Sequence, residues 1–127
     1  MPEFSILIGR VSTEDHDRIL ESLDSLANQI DPPSFEVVIA DRRNDEVSDI
    51  IKAKYAWVNL LPCDETITLP EMRARAFHQS IGDYLIVTED HCVPSDTWLK
   101  AFSEVAKTHP EAAAIGGCVE KNGRAHV

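Results

Sequence analysis

The sequence predicts an α/β fold: a doubly wound, mostly parallel sheet with helices on both faces. Two observations carry this. Short apolar runs alternate with stretches whose apolar residues recur at helical spacing, strand then helix, four times over. At least one run, Tyr84 to Val87, is apolar at successive positions, which suits a strand covered on both faces in the middle of a parallel sheet. At 127 residues the chain reads as one domain, 1–127, long enough to bury a core.

Phe4 to Gly9 is the first strand, closed by its glycine. Ser12 or Thr13 can cap the helix that follows, and Glu14 and Asp15 suit its positive end. Ile19, Leu20, Leu23, Leu26, Ala27 and Ile30 form one apolar stripe, stopped by Pro32 and Pro33. Phe35 to Ala40 is the second strand, and a short helix carrying Val47, Ile50 and Ile51 comes after the polar stretch Asp41 to Asp45. Trp57 to Leu61 is a third, weaker strand, followed by an exposed loop. Thr68-x-x-Glu71, with Pro70 in the first turn, starts a helix that runs to about Ser80. The fourth strand ends abruptly in Glu89, Asp90 and His91, side chains that can bind a cation or a hydroxyl and can equally form a capping loop. Carboxyl ends of strands are where open α/β sheets bind ligands. Ser95 caps a helix with the apolar face Trp98, Leu99, Phe102, Val105 and Ala106, ended by His109-Pro110. Ala112 to Cys118 fits a fifth strand, and Asn122-Gly123 marks a hairpin turn.

Composition narrows the partners. Twelve basic and 22 acidic residues give a formal charge of -10, which argues against a nucleic-acid or anionic-membrane surface. No apolar run approaches the roughly 20 residues of a membrane span, and the N-terminus lacks the features of a signal peptide, so a cytoplasmic location is expected. Cys63, Cys92 and Cys118 are far apart and in no CxxC pair, and read as reduced thiols, not as a disulfide frame or zinc site. Neither GxGxxG nor GxxxxGK[ST] occurs, so dinucleotide and P-loop readings lose support. A receiver-type signalling reading also loses support, because the chain lacks the acidic pair expected after the first strand and the aligned phospho-acceptor Asp.

Gly82-Asp83-Tyr84-Leu85, then Glu89-Asp90-His91, Pro94 and Trp98-Leu99 together resemble a segment of the family-2 glycosyltransferases, which have the GT-A fold. In that family Gly-Glu-Tyr-Ile leads through apolar residues to Asp-x-Asp, then Pro and Trp-Leu. The metal motif departs here, with Glu89 for the first Asp and His91 for the last. Leu23 to Gln29 is also similar to the family's first helix, although an amphipathic helix explains the leucines equally well. Asp41 matches the first residue of the family's Asp-Asp-Gly-Ser-x-Asp, whose acids read the nucleotide base, while Arg42 stands where a second Asp is usual. Asn44 and Asp45 fall near its Ser and final Asp, and serve as well for helix caps. Met72 to Gly82 resembles the Ala-Arg-Asn helix, with Arg73 on its Arg and Ala74 on its Asn. An arginine there can reach a diphosphate, and Arg75 is read as solvated.

The resemblance implies a Rossmann-like GT-A nucleotide-binding half in which Gly9, Arg10, Asp41, Arg73, Glu89 and Asp90 contact a nucleotide. It implies Glu89 and His91 as ligands of a divalent cation, manganese or magnesium. Imidazole suits manganese or zinc, whereas magnesium prefers oxygen, so the departure leaves open both the metal's identity and its presence. The remaining histidines, His16, His78, His109 and His126, fit helix surfaces and the terminus. The family's acceptor pocket and catalytic base come from a second half, so no catalytic residue is nominated. The function expected is binding of a nucleotide-diphosphate sugar, a UDP-sugar first, for glycosyl transfer to an acceptor of unknown identity. The alternative is a non-catalytic nucleotide-sugar-binding or protein-interaction module of the same fold.

Overall fold

In a computed structural model, residues 1–111 are described in full, together with the backbone of Cys118–Val119 and Arg124–His126. Strand β1 (Phe4–Arg10) leads to α1 (Ile19–Ala27), β2 (Phe35–Asp41), α2 (Glu46–Lys54), β3 (Val58–Pro62), α3 (Leu69–Gln79) and β4 (Tyr84–Glu89). Then follow β5 (Val93–Pro94), α4 (Trp98–Thr108), β6 (Cys118–Val119) and β7 (Arg124–His126). The main sheet is parallel throughout, in the order β3-β2-β1-β4. The chain therefore steps outward from β1 to β3, then returns to the far side of β1 for β4. That reversal sets a topological switch point between β1 and β4, and at the carboxyl ends beside such points open α/β sheets bind ligands.

Helices cover both faces, as the doubly wound prediction requires. On one face Ile6 and Ile8 of β1, Val37 and Ile39 of β2 and Ile86 of β4 pack with α1, α2 and α4, through residues such as Leu23, Ile51 and Leu99. On the other, Leu7, Val38 and Ala40 pack with Met72 and Ala76 of α3 and with Cys63 and Ile67. Every residue of β1 is buried, as its unbroken apolar run demands of a central strand. Gly82 lets the chain enter β4 tightly against β1, since a Cβ there would lie 2.7 Å from the Phe4 carbonyl carbon and the Ser5 nitrogen.

The structure corrects the sequence reading at several points. β4 is not central: among the described residues it is the edge of the main sheet, with Leu85 42% and Val87 55% exposed. Ile86 alone of its apolar run is buried. An apolar run reports hydrophobicity but not lateral order, and β1 takes the middle. Helix α1 starts at Ile19, well past Ser12 and Thr13: the Ser12 hydroxyl donates to the Asp90 carboxylate, and Asp17 Oδ1 accepts the Ile19 N–H at 3.0 Å. Ser95 likewise does not cap α4, which begins after Thr97. Thr68 does cap α3, its hydroxyl accepting from the Glu71 N–H at 3.3 Å, and His109 ends α4. Of the expected fifth strand, Ala112 to Cys118, all but Cys118 lies outside the described residues, as does the Asn122-Gly123 turn. Their flanks, β6 and β7, pair antiparallel with Val119 opposite Ala125, and β7 also pairs parallel with β5.

Candidate functional site

Two polar clusters form at the carboxyl edge, on opposite faces of the sheet. Arg10 lies beside Asp41 in the β1–β2 register, so both side chains project toward α1 and α2. The Arg10 guanidinium is fully buried and donates to three carboxylates: Asp17 Oδ2 at 2.7 Å, Asp45 Oδ1 at 2.9 Å and Asp41 Oδ2 at 3.3 Å. It also reaches the Ser48 hydroxyl at 3.1 Å. Burial alone would lower its pKa, but hydrogen bonds to Asp45 and Asp17 and the charges of Asp17 and Asp41 outweigh that and hold the group above its ordinary value. The hydrogen bond from Arg10 keeps Asp45 well below the usual carboxylate range.

Asp41 is 1% exposed and its oxygens are spoken for. Oδ2 accepts from Ser48 Oγ at 2.5 Å, and Oδ1 from the Arg43 N–H at 2.8 Å. Asp45 caps α2 and exchanges bonds with Ser48 in a capping box. Asn44 takes a left-handed backbone, φ 45°, and its amide donates to the Cys63 carbonyl at 2.8 Å. Gly9, Arg10, Asp41 and Asp45 thus meet at one edge, but Arg10 and Asp41 face inward and bind each other.

The second cluster sits at the end of β4 on the α3 side, where the register sets Glu89 beside Gly9. A Cβ on Gly9 would come within 2.6 Å of Leu69 Cδ1, so the glycine admits the start of α3 to the strand ends. Arg73 reaches from α3 to within 3.8 Å of Glu89 Oε1. Its Nε is buried and has no hydrogen-bond partner among the described residues. Glu89 Oε2 lies 2.8 Å from His91 Nε2, and both side chains are about half exposed, 49% and 47%. The thiol of Cys92, half-buried, completes a group in which one ligand atom from each of Glu89, His91 and Cys92 lies within 4.8 Å of the others. Burial, with the charge of Glu89 adding to it, pushes the Cys92 thiol upward. These three side chains could hold a cation.

Asp90 turns the other way. At 1% exposure its carboxylate accepts the backbone N–H groups of Val11 and Ser12, each at 2.8 Å, and so fastens the loop after β1 to the end of β4. Its Oδ1 lies 3.5 Å from His91 Nδ1. Reading the sequence alone overlooked Asp17 and Ser48, and took Cys92 as a reduced thiol with no part in a metal site. The Asp45-x-x-Ser48 spacing was a usable signal for the capping box, whereas nothing local announces that Asp17 reaches Arg10.

A four-stranded parallel sheet with this strand order and helices on both faces is a Rossmann-like α/β domain. Residues 13–126 match the model of Glycosyl transferase family 2. The chain belongs to that family, and its fold is the Rossmann-like GT-A arrangement. It is 24% identical over 118 residues to the glucosyl-dolichyl phosphate glucuronosyltransferase of Haloferax volcanii, covering 91% of this chain and 37% of the relative. It superposes on S. aureus TarS 1-349 in complex with UDP with a TM-score of 0.68 at 24% identity, over 85% of this chain and 33% of that one. Against TarS 1-349 in complex with UDP-GlcNAc the TM-score is 0.63 at 23% identity, over 86% and 31%. The chain therefore spans about a third of the length of these relatives. No helix among the described residues is long and apolar enough to cross a membrane.

Proposed function

We propose that this chain is the donor-binding part of a glycosyltransferase that takes a nucleotide-diphosphate sugar, a UDP-sugar first, with acceptor and catalytic base supplied outside these residues. The observation that carries the reading is Arg73, whose buried Nε has no partner among the described residues and sits beside Glu89 at the β1–β4 switch point. A buried donor without a partner is costly, and a phosphate oxygen would satisfy it with a charge-assisted bond. TarS structures carrying UDP and UDP-GlcNAc share this fold, which supports the same ligand class.

In this reading Arg73 holds the diphosphate, Glu89 takes a ribose hydroxyl or a metal-bound water, and His91 meets a cation at the phosphates. Such a cation would offset negative charge on the departing nucleoside diphosphate. Gly9 serves indirectly, by admitting Leu69 and so the start of α3, the helix that carries Arg73, to the strand ends. Asp41 acts on the base side through the loop it orders, holding the Arg43 N–H and framing Asn44. Asp90 serves by fixing the segment that carries its two neighbours.

Calorimetric titration with UDP, uridine and UDP-GlcNAc, with and without manganese, tests the reading. UDP should bind, manganese should strengthen it, and His91→Ala should remove that gain while sparing metal-free binding. Arg73→Ala should weaken UDP by about 1.5–3 kcal/mol, the value of a hydrogen bond to a charged group, and uridine far less. Equal weakening of both ligands removes Arg73 from the diphosphate role. Absence of any nucleotide binding favours a protein-interaction module.

A further inference from the structure

We infer that the cation site at the end of β4 is a three-donor site of carboxylate, imidazole and thiol, built by Glu89, His91 and Cys92, and selective for zinc-class cations over magnesium. The inference rests on the nucleotide-sugar reading only for the site's use and names the cation class it takes. Its ground is the donor set itself. Ligand atoms of the three side chains lie within 4.8 Å of one another, a spread that side-chain rotation closes onto a shared ion. Zinc accepts all three donor types in tetrahedral sites at about 2.0–2.3 Å. Magnesium demands an octahedral oxygen shell, and neither a thiol nor an imidazole contributes to one. Softness of the ligands is what separates these metals, and two of the three donors here are softer than oxygen.

Independent features hold the donors in place. The Cys92 carbonyl accepts the Ser22 hydroxyl at 2.6 Å, and the Cys92 N–H donates to the Glu89 carbonyl at 3.2 Å. These bonds fix the turn on which all three ligands ride. His91 Nδ1 faces the buried Asp90 carboxylate while Nε2 faces Glu89, which is how a ligating imidazole is usually oriented by a carboxylate behind it. A cation entering between Glu89 and His91 takes the place of the direct 2.8 Å contact between Oε2 and Nε2. Three protein ligands leave a fourth position, and in a zinc-type site that position takes water or a ligand oxygen. Arg73, 3.8 Å from Glu89, adds a positive charge that disfavours a bare cation and favours one carrying phosphate.

The test uses cobalt(II), zinc and magnesium salts on the chain without nucleotide. Cobalt should produce the near-ultraviolet sulfur-to-metal charge-transfer band, zinc should displace it, and a large excess of magnesium should not. Cys92→Ser should abolish the band and Cys63→Ser should leave it. Cobalt bound without the band, a band that survives Cys92→Ser, or displacement by magnesium overturns the assignment. His91 is half exposed, so His91→Ala keeps the assignment testable should Cys92→Ser fail to fold. It should lower zinc affinity by more than the roughly tenfold that loss of a supporting second-shell group costs, and unchanged affinity also overturns the site. UDP binding without metal is scored separately, so loss of the nucleotide reading and loss of this site give different results.

Discussion

The two acidic clusters at the carboxyl edge use similar residues to opposite ends. Around Arg10, three aspartates and a serine close over one guanidinium, and little of the group remains to meet a ligand. At the end of β4, Glu89 and His91 stand half in solvent, and Arg73 keeps a buried donor that no described residue satisfies. The same carboxylate chemistry is structural where its hydrogen bonds are completed internally, and available where they are not. The family motif spans both conditions within three residues, because Asp90 is buried and bonded while its neighbours are open.

Breaking the closed cluster should give the largest effect. Arg10→Met leaves Asp17, Asp41 and Asp45 facing one another without their cation. Removing one side of a buried charge network costs about 3–5 kcal/mol. Urea unfolding should show that loss or no folded protein at all, and an unchanged midpoint would show the network contributes nothing. Asp90→Ala comes next. It strands the Val11 and Ser12 N–H groups, and leaving buried donors unpaired costs about 1–3 kcal/mol, with faster amide exchange confined to residues 11–18 as its local signature.

Acid offers a milder way into the same contrast. Asp45 is held below its ordinary value, so its contribution is present above the unfolded carboxylate pKa of about 3.9 and is lost as pH falls through the folded value. Asp45→Asn should therefore be less stable than the parent at neutral pH, and the gap should close on acidification. A gap that widens in acid contradicts the sign. The smallest effect belongs to the open cluster, where Glu89→Gln should stay within about 0.5 kcal/mol of the parent in unfolding assays, as exposed substitutions do. A large loss there would mean that Glu89 also carries structure.

Much of the architecture was legible from local patterns. The Thr68-Pro70-Glu71 start of α3, the stripe of α1 and the apolar run of β1 each depend on neighbours a few residues away. The lateral place of β4 did not, because an apolar run looks the same at an edge that is left partly bare. The resemblance brought Asp41 and Arg10 to the right edge of the sheet without revealing that they face each other, a pairing across 31 residues. The sequence reading took Cys92 as a plain reduced thiol, outside any metal site, for a related reason. Single cysteines carry no spacing signal, and only the turn after β4 gathers its thiol with Glu89 and His91.

The buried Asp90 has a further consequence for affinity. Flexible segments lose conformational freedom when they close on a ligand, and that loss subtracts from the binding free energy. Here folding has already fixed the segment: one carboxylate holds two amides of the β1 loop, and Ser22 holds the next turn from α1. Glu89 and His91 need then lose only side-chain rotamer freedom when they engage a partner. Preorganisation of this kind favours slow dissociation over fast capture, so a ligand at this edge should gain its affinity chiefly from residence time.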